Sequence, residues 1–346
     1  MNSIPGIRML SHYEARYLRS DLVAGLVLTA LLVPQGMAYA ELAGLPPITG
    51  LYTSILCLVG YALFGPSKIL VLGPDSSLGP MIAATIIPLI AADGDPKQAI
   101  ALASALALMV GAITTLVGIA KLGFIADLIS KPTIIGYMNG LALTILVGQL
   151  PKLFGFSVDG DGFLTELKGF VLGVKDGETV GAALTIGVLG LAVILVLQRW
   201  MPKMPAVLVA VVVSIGVSIA LNLGDHGVSL VGELPRGFPA PTWPRVGLSD
   251  LALLFGGALG IALVSLTDTI STASSFAARS GEEVDGTKEM IGIGAANLGA
   301  GLFQGFPVST SGSRTAVAEQ AGAKTQVTGL VGAAAITVIL LAVPGL

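Results

Sequence analysis

Gly73-Pro74-Asp75-Ser76-Ser77, followed by Pro80, and the distant Gly305-Phe306-Pro307-Val308-Ser309-Thr310-Ser311-Gly312-Ser313-Arg314 decide how this sequence reads. Each opens a segment, 73–92 and 305–322, with backbone that regular helix does not accommodate. Proline lacks the N–H and fixes φ, and glycine adds freedom. Only a short helical stretch follows, and long apolar runs lie on either side. Lipid offers bare backbone no hydrogen-bond partner, so both openings must be buried in protein or line a watery cavity. One such segment reads equally well as an ordinary kinked helix. Two, each third in a comparable run of apolar segments, are the sign of inverted repeats meeting at a site near the membrane midplane.

The composition agrees with a membrane setting. Of the 346 residues, 11% are charged and 54% hydrophobic, and the mean hydropathy is +0.89. A soluble chain of this length needs more charge to cover its surface. A spanning helix needs ~20 mostly apolar residues. Full spans are expected at 22–40, 48–65, 98–120, 131–152, 179–198, 204–223, 251–278, 287–303 and 325–343. The fold class is therefore an all-α polytopic membrane protein. The first repeat starts near residue 22 and the second near 251. A complete second repeat needs about three more helices than residues 251–346 hold, so the sequence reads as truncated after about eleven helical elements. Gly256-x-x-x-Gly260 and Gly301-x-x-x-Gly305 read as close helix packing.

Several classes are set aside. No early segment reads as a cleavable signal peptide. The lone Cys57 excludes an internal disulfide, and His12 and His226 lie outside the apolar runs, against a histidine metal or nucleophile site in the membrane. No cofactor, metal or nucleic-acid partner is expected. The net charge of -3 decides nothing, but its distribution does. Arg8, Arg16 and Arg19, then Lys121 and Lys131, Arg199 and Lys203, and Arg279 and Lys288 fall on one side if the N-terminus is cytoplasmic. The opposite loops hold Asp93 and Asp95, residues 157–178 and residues 224–250.

The chemistry gathers at the broken segments. A half-helix N-terminus presents unpaired N–H groups and a positive dipole end, so two facing N-termini suit a negative group. Ser76 and Ser77 stand at one; Ser309, Ser311, Ser313 and Arg314 stand at the other. Arg314 adds a fixed charge and a planar fork suited to carboxylate, sulfate or bicarbonate. An arginine at the bilayer centre costs at least ~2.5–3.5 kcal/mol, so it serves a function or reaches an interface. Asp268, Ser271, Thr272 and Ser275 share one face of an apolar helix, which should turn inward. A carboxyl in water-poor surroundings takes a proton more readily, so Asp268 is a candidate for proton coupling. The same stripe could hold Na⁺, or Asp268 could be structural. Asp75 reads as an N-cap. Gln35 and Tyr39 share a face just after Pro34 and can line the cavity or pack between helices.

Pro34-Gln-Gly-Met-Ala-Tyr-Ala, Leu45-Pro-Pro-Ile-Thr-Gly-Leu-Tyr-Thr-Ser and Leu72-Gly-Pro-Asp-Ser-Ser resemble the SulP anion transporter family (solute carrier family 26, sulfate permease-like). Val284-Asp-Gly-Thr-Lys-Glu, Asn297-Leu-Gly-Ala-Gly-Leu-Phe-Gln-Gly-Phe-Pro and Gly312-Ser-Arg-Thr-Ala-Val agree, so the resemblance runs the whole chain. It implies a 7+7 inverted-repeat fold: a cytoplasmic segment 1–21, a core domain of 22–121 and 251–346, and a gate domain beginning in 122–250. On that pattern the sequence given is expected to lack the last three helices and the STAS domain usual in the family. The implied anion site takes Gln35, Tyr39, Ser76, Ser77, Ser311, Ser313 and Arg314, with Asp268 and Thr272 at the coupling-ion position. The implied protein is a multi-pass transporter of the cell membrane. It carries sulfate, bicarbonate or a dicarboxylate with H⁺, and many members are homodimers. Na⁺-coupled symport and anion exchange are the alternatives. Asp75 departs from the family pattern, which commonly has an uncharged residue there.

Two other readings compete. A nucleobase permease of the same fold is expected to place acids on both the eighth and tenth helices, and residues 305–318 hold none. An intramembrane aspartyl protease would pair Asp75 with Asp268 across a shared proton, but the Gly-x-Gly-Asp run such enzymes carry is missing. A serine protease is weaker still, since no histidine lies in a span.

Overall fold

In the computed structural model the described residues are 4–90, 95–121, 131–158, 163–201, 204, 206–228, 237–281 and 284–342. They form α-helices and one pair of two-residue strands. In chain order, α1 (Pro5–Ser11), α2 (Leu18–Leu42), α3 (Pro47–Phe64), β1 (Leu72–Gly73), α4 (Gly79–Ile86) and α5 (Pro96–Ile119) come first. Next are α6 (Lys131–Phe154), α7 (Phe163–Lys175), α8 (Gly181–Trp200) and α9 (Ala206–Ala220). Last are α10 (Leu248–Ser280), α11 (Gly286–Leu302), β2 (Ser309–Thr310), α12 (Gly312–Gln320) and α13 (Val327–Ala342). The expected spans each correspond to one of these helices, and both broken segments have extended backbone followed by a short helix.

The chain divides into two compact units. One holds Met1–Ile129 with Glu233–Leu346, the other Ser130–Gly232. Residues 238–250 fall in the first unit, where Gln304 donates to Ala240 O and Thr242 N–H donates to Leu302 O. Five helices among the described residues are long and apolar enough to cross a membrane. In the second unit, α8 leaves Val188, Leu189, Leu191, Leu195 and Val196 exposed, an apolar surface that water would oppose and lipid accepts. Helix α7 falls in a segment read from sequence as loop. It is too short to span, and Phe170 on it meets Phe154 edge-on and stacks on Phe156. Of the charges used for orientation, Asp93 and Lys203 lie outside the described residues, as do the side chains of Lys131 and Arg279.

Within the first unit the packing repeats itself. Equating α2, α3, α4 and α5 with α10, α11, α12 and α13 maps most major contacts onto counterparts. Helix α2 packs on α3 as α10 packs on α11; α5 lies on α10 and α11 as α13 lies on α2 and α3; α4 meets α10 as α12 meets α2. The fourth helix of each repeat is thus packed on the first two helices of the other. Small residues permit the approach. A methyl added at Gly50 would sit 1.9 Å from Gly36 O, and one at Gly294 would sit 2.1 Å from Thr115 Oγ1. The expected glycine pair on α10 is corrected. Gly256 faces open space, and it is Gly257 that abuts Thr85, with an added methyl 2.4 Å from its Oγ1. On α11, Gly301 does pack closely, against Leu108 and Ser104 O.

The irregular backbone around β1 and β2 finds its hydrogen bonds inside protein. Phe306 N–H donates to Thr53 Oγ1 (3.1 Å) and Val308 N–H to Asn297 Oδ1 (2.9 Å). Val308 O accepts from Ser265 Oγ at 2.9 Å, Gly305 O from Ser104 Oγ at 3.2 Å, and Leu70 O from Gln326 Nε2 at 3.0 Å. A peptide group left bare at this depth would cost several kcal/mol, so these side chains are what make the break tolerable. A similar fastening holds the start of α13. Buried Asp21 of α2 accepts at Oδ1 from Lys324 N–H (2.7 Å), Thr325 N–H (3.1 Å) and Thr328 Oγ1 (3.0 Å). Its Oδ2 accepts from Thr325 Oγ1 (2.8 Å) and Tyr13 OH (3.2 Å). Only a carboxylate offers acceptors at both oxygens. Asp21→Asn turns an amide NH₂ toward donors, and the expected loss is about 2–3 kcal/mol. A lowered thermal unfolding temperature of the detergent-purified protein would show it; an unchanged one would rule the fastening out.

Candidate functional site

The two broken segments meet through their strands. Leu72 pairs with Thr310 and Gly73 with Ser309 in an antiparallel register. Ser311 N–H extends the contact to Val71 O at 3.1 Å, and Val71 N–H donates to Thr315 Oγ1 at 3.1 Å. From this crossing α4 and α12 begin, so sequence positions more than two hundred residues apart share one locus.

Arg314 occupies it. Its side chain is 1% exposed, yet none of its three guanidinium nitrogens has a hydrogen-bond partner among the described residues. The guanidinium lies against Gly73: a methyl added there would be 2.8 Å from Nη1 and 3.2 Å from Cζ. The nearest opposite charge is Asp75, whose Oδ2 is 3.6 Å from Nη2. That distance gives Coulomb attraction without a hydrogen bond. Ser311 caps α12, its Oγ accepting weakly from Arg314 N–H at 3.4 Å and lying 3.0 Å from Ser313 Oγ. Ser313 itself is exposed.

Ser77 links the acids. Its Oγ lies 2.7 Å from Asp75 Oδ1 and 3.2 Å from Asp268 Oδ2. A hydroxyl has one hydrogen to give, so it serves both carboxyls only when one of them is protonated and donates to it in turn. The expected role of Asp75 as the cap of α4 is corrected. It caps the turn before the helix: Oδ1 accepts from Ser77 N–H at 2.9 Å, and its carbonyl accepts from Leu78 and Gly79. Tyr39 and Ser76 are both half-buried. Gln35, one turn earlier on α2, is half-buried. On α10, the methyl of Thr272 lies 4.0 Å from where a Gly312 methyl would be. The inward stripe is narrower than expected, because Ser271 and Ser275 are exposed and Ser275 Oγ bonds Ser271 O on its own helix.

Reading by residue type overlooked Gly73 as the seat of the guanidinium, and Thr315 and Asn297 as the clamps of the strands. Gly73 was visible only as a helix breaker. Thr315 and Asn297 lie inside helical patterns, and nothing in their spacing shows that they face another segment. A second buried carboxyl was also missed: Glu289 accepts from Tyr61 OH at 2.6 Å and from Ser67 Oγ.

The sulfate permease family model matches residues 18–346. The chain is 41% identical over 342 residues to a probable sulfate transporter of Mycobacterium tuberculosis, covering 99% of this chain and 60% of that protein. It is 32% identical to human solute carrier family 26 member 6, covering 99% of this chain and 47% of that one. It therefore spans about half to three-fifths of the curated relatives it matches. Among solved structures, SLC26A9 superposes with a TM-score of 0.90 at 26% identity, over 98% of this chain and 56% of that one. The transmembrane domain of the cyanobacterial bicarbonate transporter BicA gives 0.85 at 25% identity, over 95% and 84% of the two chains. Sequence and fold together place the chain in the sulfate permease (SulP/SLC26) family.

Proposed function

We propose that this chain binds a small oxyanion at Arg314 and carries it across a membrane, with Asp268 as the proton-coupling group. The observation that supports this best is the guanidinium itself, buried in a membrane-spanning unit with all three nitrogens free of hydrogen bonds among the described residues. A charge so placed is costly unless something charged or polar completes it. A planar fork beside a helix N-terminus and two serine hydroxyls favours an anion with several oxygens. The names of the relatives point to sulfate and bicarbonate as the first anions to test. The Ser77 bridge between Asp75 and Asp268 supports a proton held in this cluster, since one hydroxyl hydrogen leaves one carboxyl unserved. Secondary active symport by alternating access, at a cell membrane with the N-terminus cytoplasmic and in a homodimer, completes the reading. Na⁺ at Asp268 and Thr272, or exchange of one anion for another, are the alternatives on the coupling side.

Arg314→Ala is expected to weaken sulfate or bicarbonate binding at least about tenfold, with Arg314→Lys in between because ammonium keeps the charge and loses the fork. Calorimetric titration would show it, and wild-type affinity in Arg314→Ala would remove the site from Arg314. Gly73→Ala should push the guanidinium from its seat and lower affinity while leaving the unfolding temperature nearly unchanged. Wild-type affinity in that variant would mean that the seat does not matter. In proteoliposomes, Asp268→Asn should bind the anion but lose uptake driven by an inward proton gradient. Persistent gradient-driven uptake would sink the coupling role.

A further inference from the structure

Asp75 does two things at once, and only one of them concerns the turn it caps. Its Oδ1 is anchored by the N–H and hydroxyl of Ser77 at 2.9 and 2.7 Å. Its Oδ2 faces Arg314 Nη2 at 3.6 Å. The carboxyl is 16% exposed and the guanidinium 1%, so water screens their attraction little. From this geometry we infer that Asp75 is a tethered occupant of the anion site, the negative charge that Arg314 holds between transported anions and that each incoming anion must override. The inference rests on Arg314 being the anion-binding residue.

The distance carries the argument. At 3.6 Å the pair balances charge but leaves the guanidinium's donors unspent. A resident that took those donors would block the site; one absent altogether would leave a bare buried cation ready to bind an anion tightly and release it slowly. Asp75 stands between these cases because Ser77 keeps its other oxygen. Its presence also weakens any anion drawn to the same guanidinium, since the two like charges repel at short range. Among the described residues, the other titratable groups near it are Asp268 of α10, reached through Ser77, and Tyr39 of α2. Neither supplies a second cation to accommodate two negative charges.

Asparagine separates this role from turn capping. It keeps the size and the Oδ1 acceptor for Ser77 N–H, ranks with aspartate as a cap, and removes only the charge. The test is titration of the detergent-purified full chain with sodium sulfate and, separately, sodium bicarbonate, at one pH and constant ionic strength. Asp75→Asn is expected to bind at least about tenfold more tightly than wild type. Asp75→Glu, with a longer arm toward the guanidinium, should bind more weakly. In liposomes Asp75→Asn should lower KM and also lower the maximal rate, because release slows. Wild-type or weaker affinity in a folded Asp75→Asn protein overturns the inference and leaves the Arg314 reading intact. Unchanged binding in Arg314→Ala overturns the Arg314 reading first. Should Asp75→Asn not fold, Asp75→Ser caps the same turn and takes the same test. Absence of binding by both anions in wild type and variant counts against both readings.

Discussion

A peptide group surrounded by lipid has to find its hydrogen bonds within the protein, and the first unit of this molecule is arranged around that requirement. Helices meet it by themselves. The two non-helical segments at 70–75 and 305–311 do not, and they pair with each other for only two residues each. Beyond the pairing, backbone groups of these segments bond to side chains that reach in from helices, Thr53, Ser104, Ser265, Asn297, Thr315 and Gln326, and Ser311 N–H bonds Val71 O. Those residues stand outside any anion site. They are what allows the chain to be non-helical at a depth where helices are the rule, and hence to aim two helix starts at one point.

Once that crossing exists, the electrostatics follow from few parts. The locus holds one guanidinium and two carboxyls, with a serine hydroxyl between the carboxyls. Each group alone would be expensive in low dielectric. With a proton on one carboxyl their charges would balance, and what remained would be an imbalance of hydrogen-bonding capacity. Arg314 has donors to spare, and Ser77 has one hydrogen for two acceptors. An anion and a proton are the two species that would complete these opposite deficits.

Much of this was legible in the residues. The spans could be read from apolar run lengths, and the two breaks from Gly73-Pro74 and Gly305-Phe306-Pro307, because lipid thickness and proline chemistry act locally. Arg314 and Asp268 stood out because a charge in an apolar run is rare. What could not be read was how the segments face one another. Gly73 as a seat, Ser77 as a bridge and Asn297 as a clamp depend on long-range placement, and a serine or glycine in a membrane helix is too common to signal it. Helix α7 escaped for another reason. At Phe163–Lys175 it is too short and too charged to resemble a span, so the length rule that found the others passed over it.

The exchange of fourth helices between the repeats has a consequence for assembly. Helix α5 is synthesised long before α10 and α11, on which it packs, and α2 and α3 precede α13 by nearly the whole described chain. When the first repeat has been synthesised, the helices that cover its glycine-lined faces have still to follow. No half of this unit is a folding intermediate with a finished interior. Arg314, on a nine-residue helix, is synthesised before α13, which packs over α2 and α3. In chain order, the carboxyls of Asp75 and Asp268 both precede the guanidinium they offset.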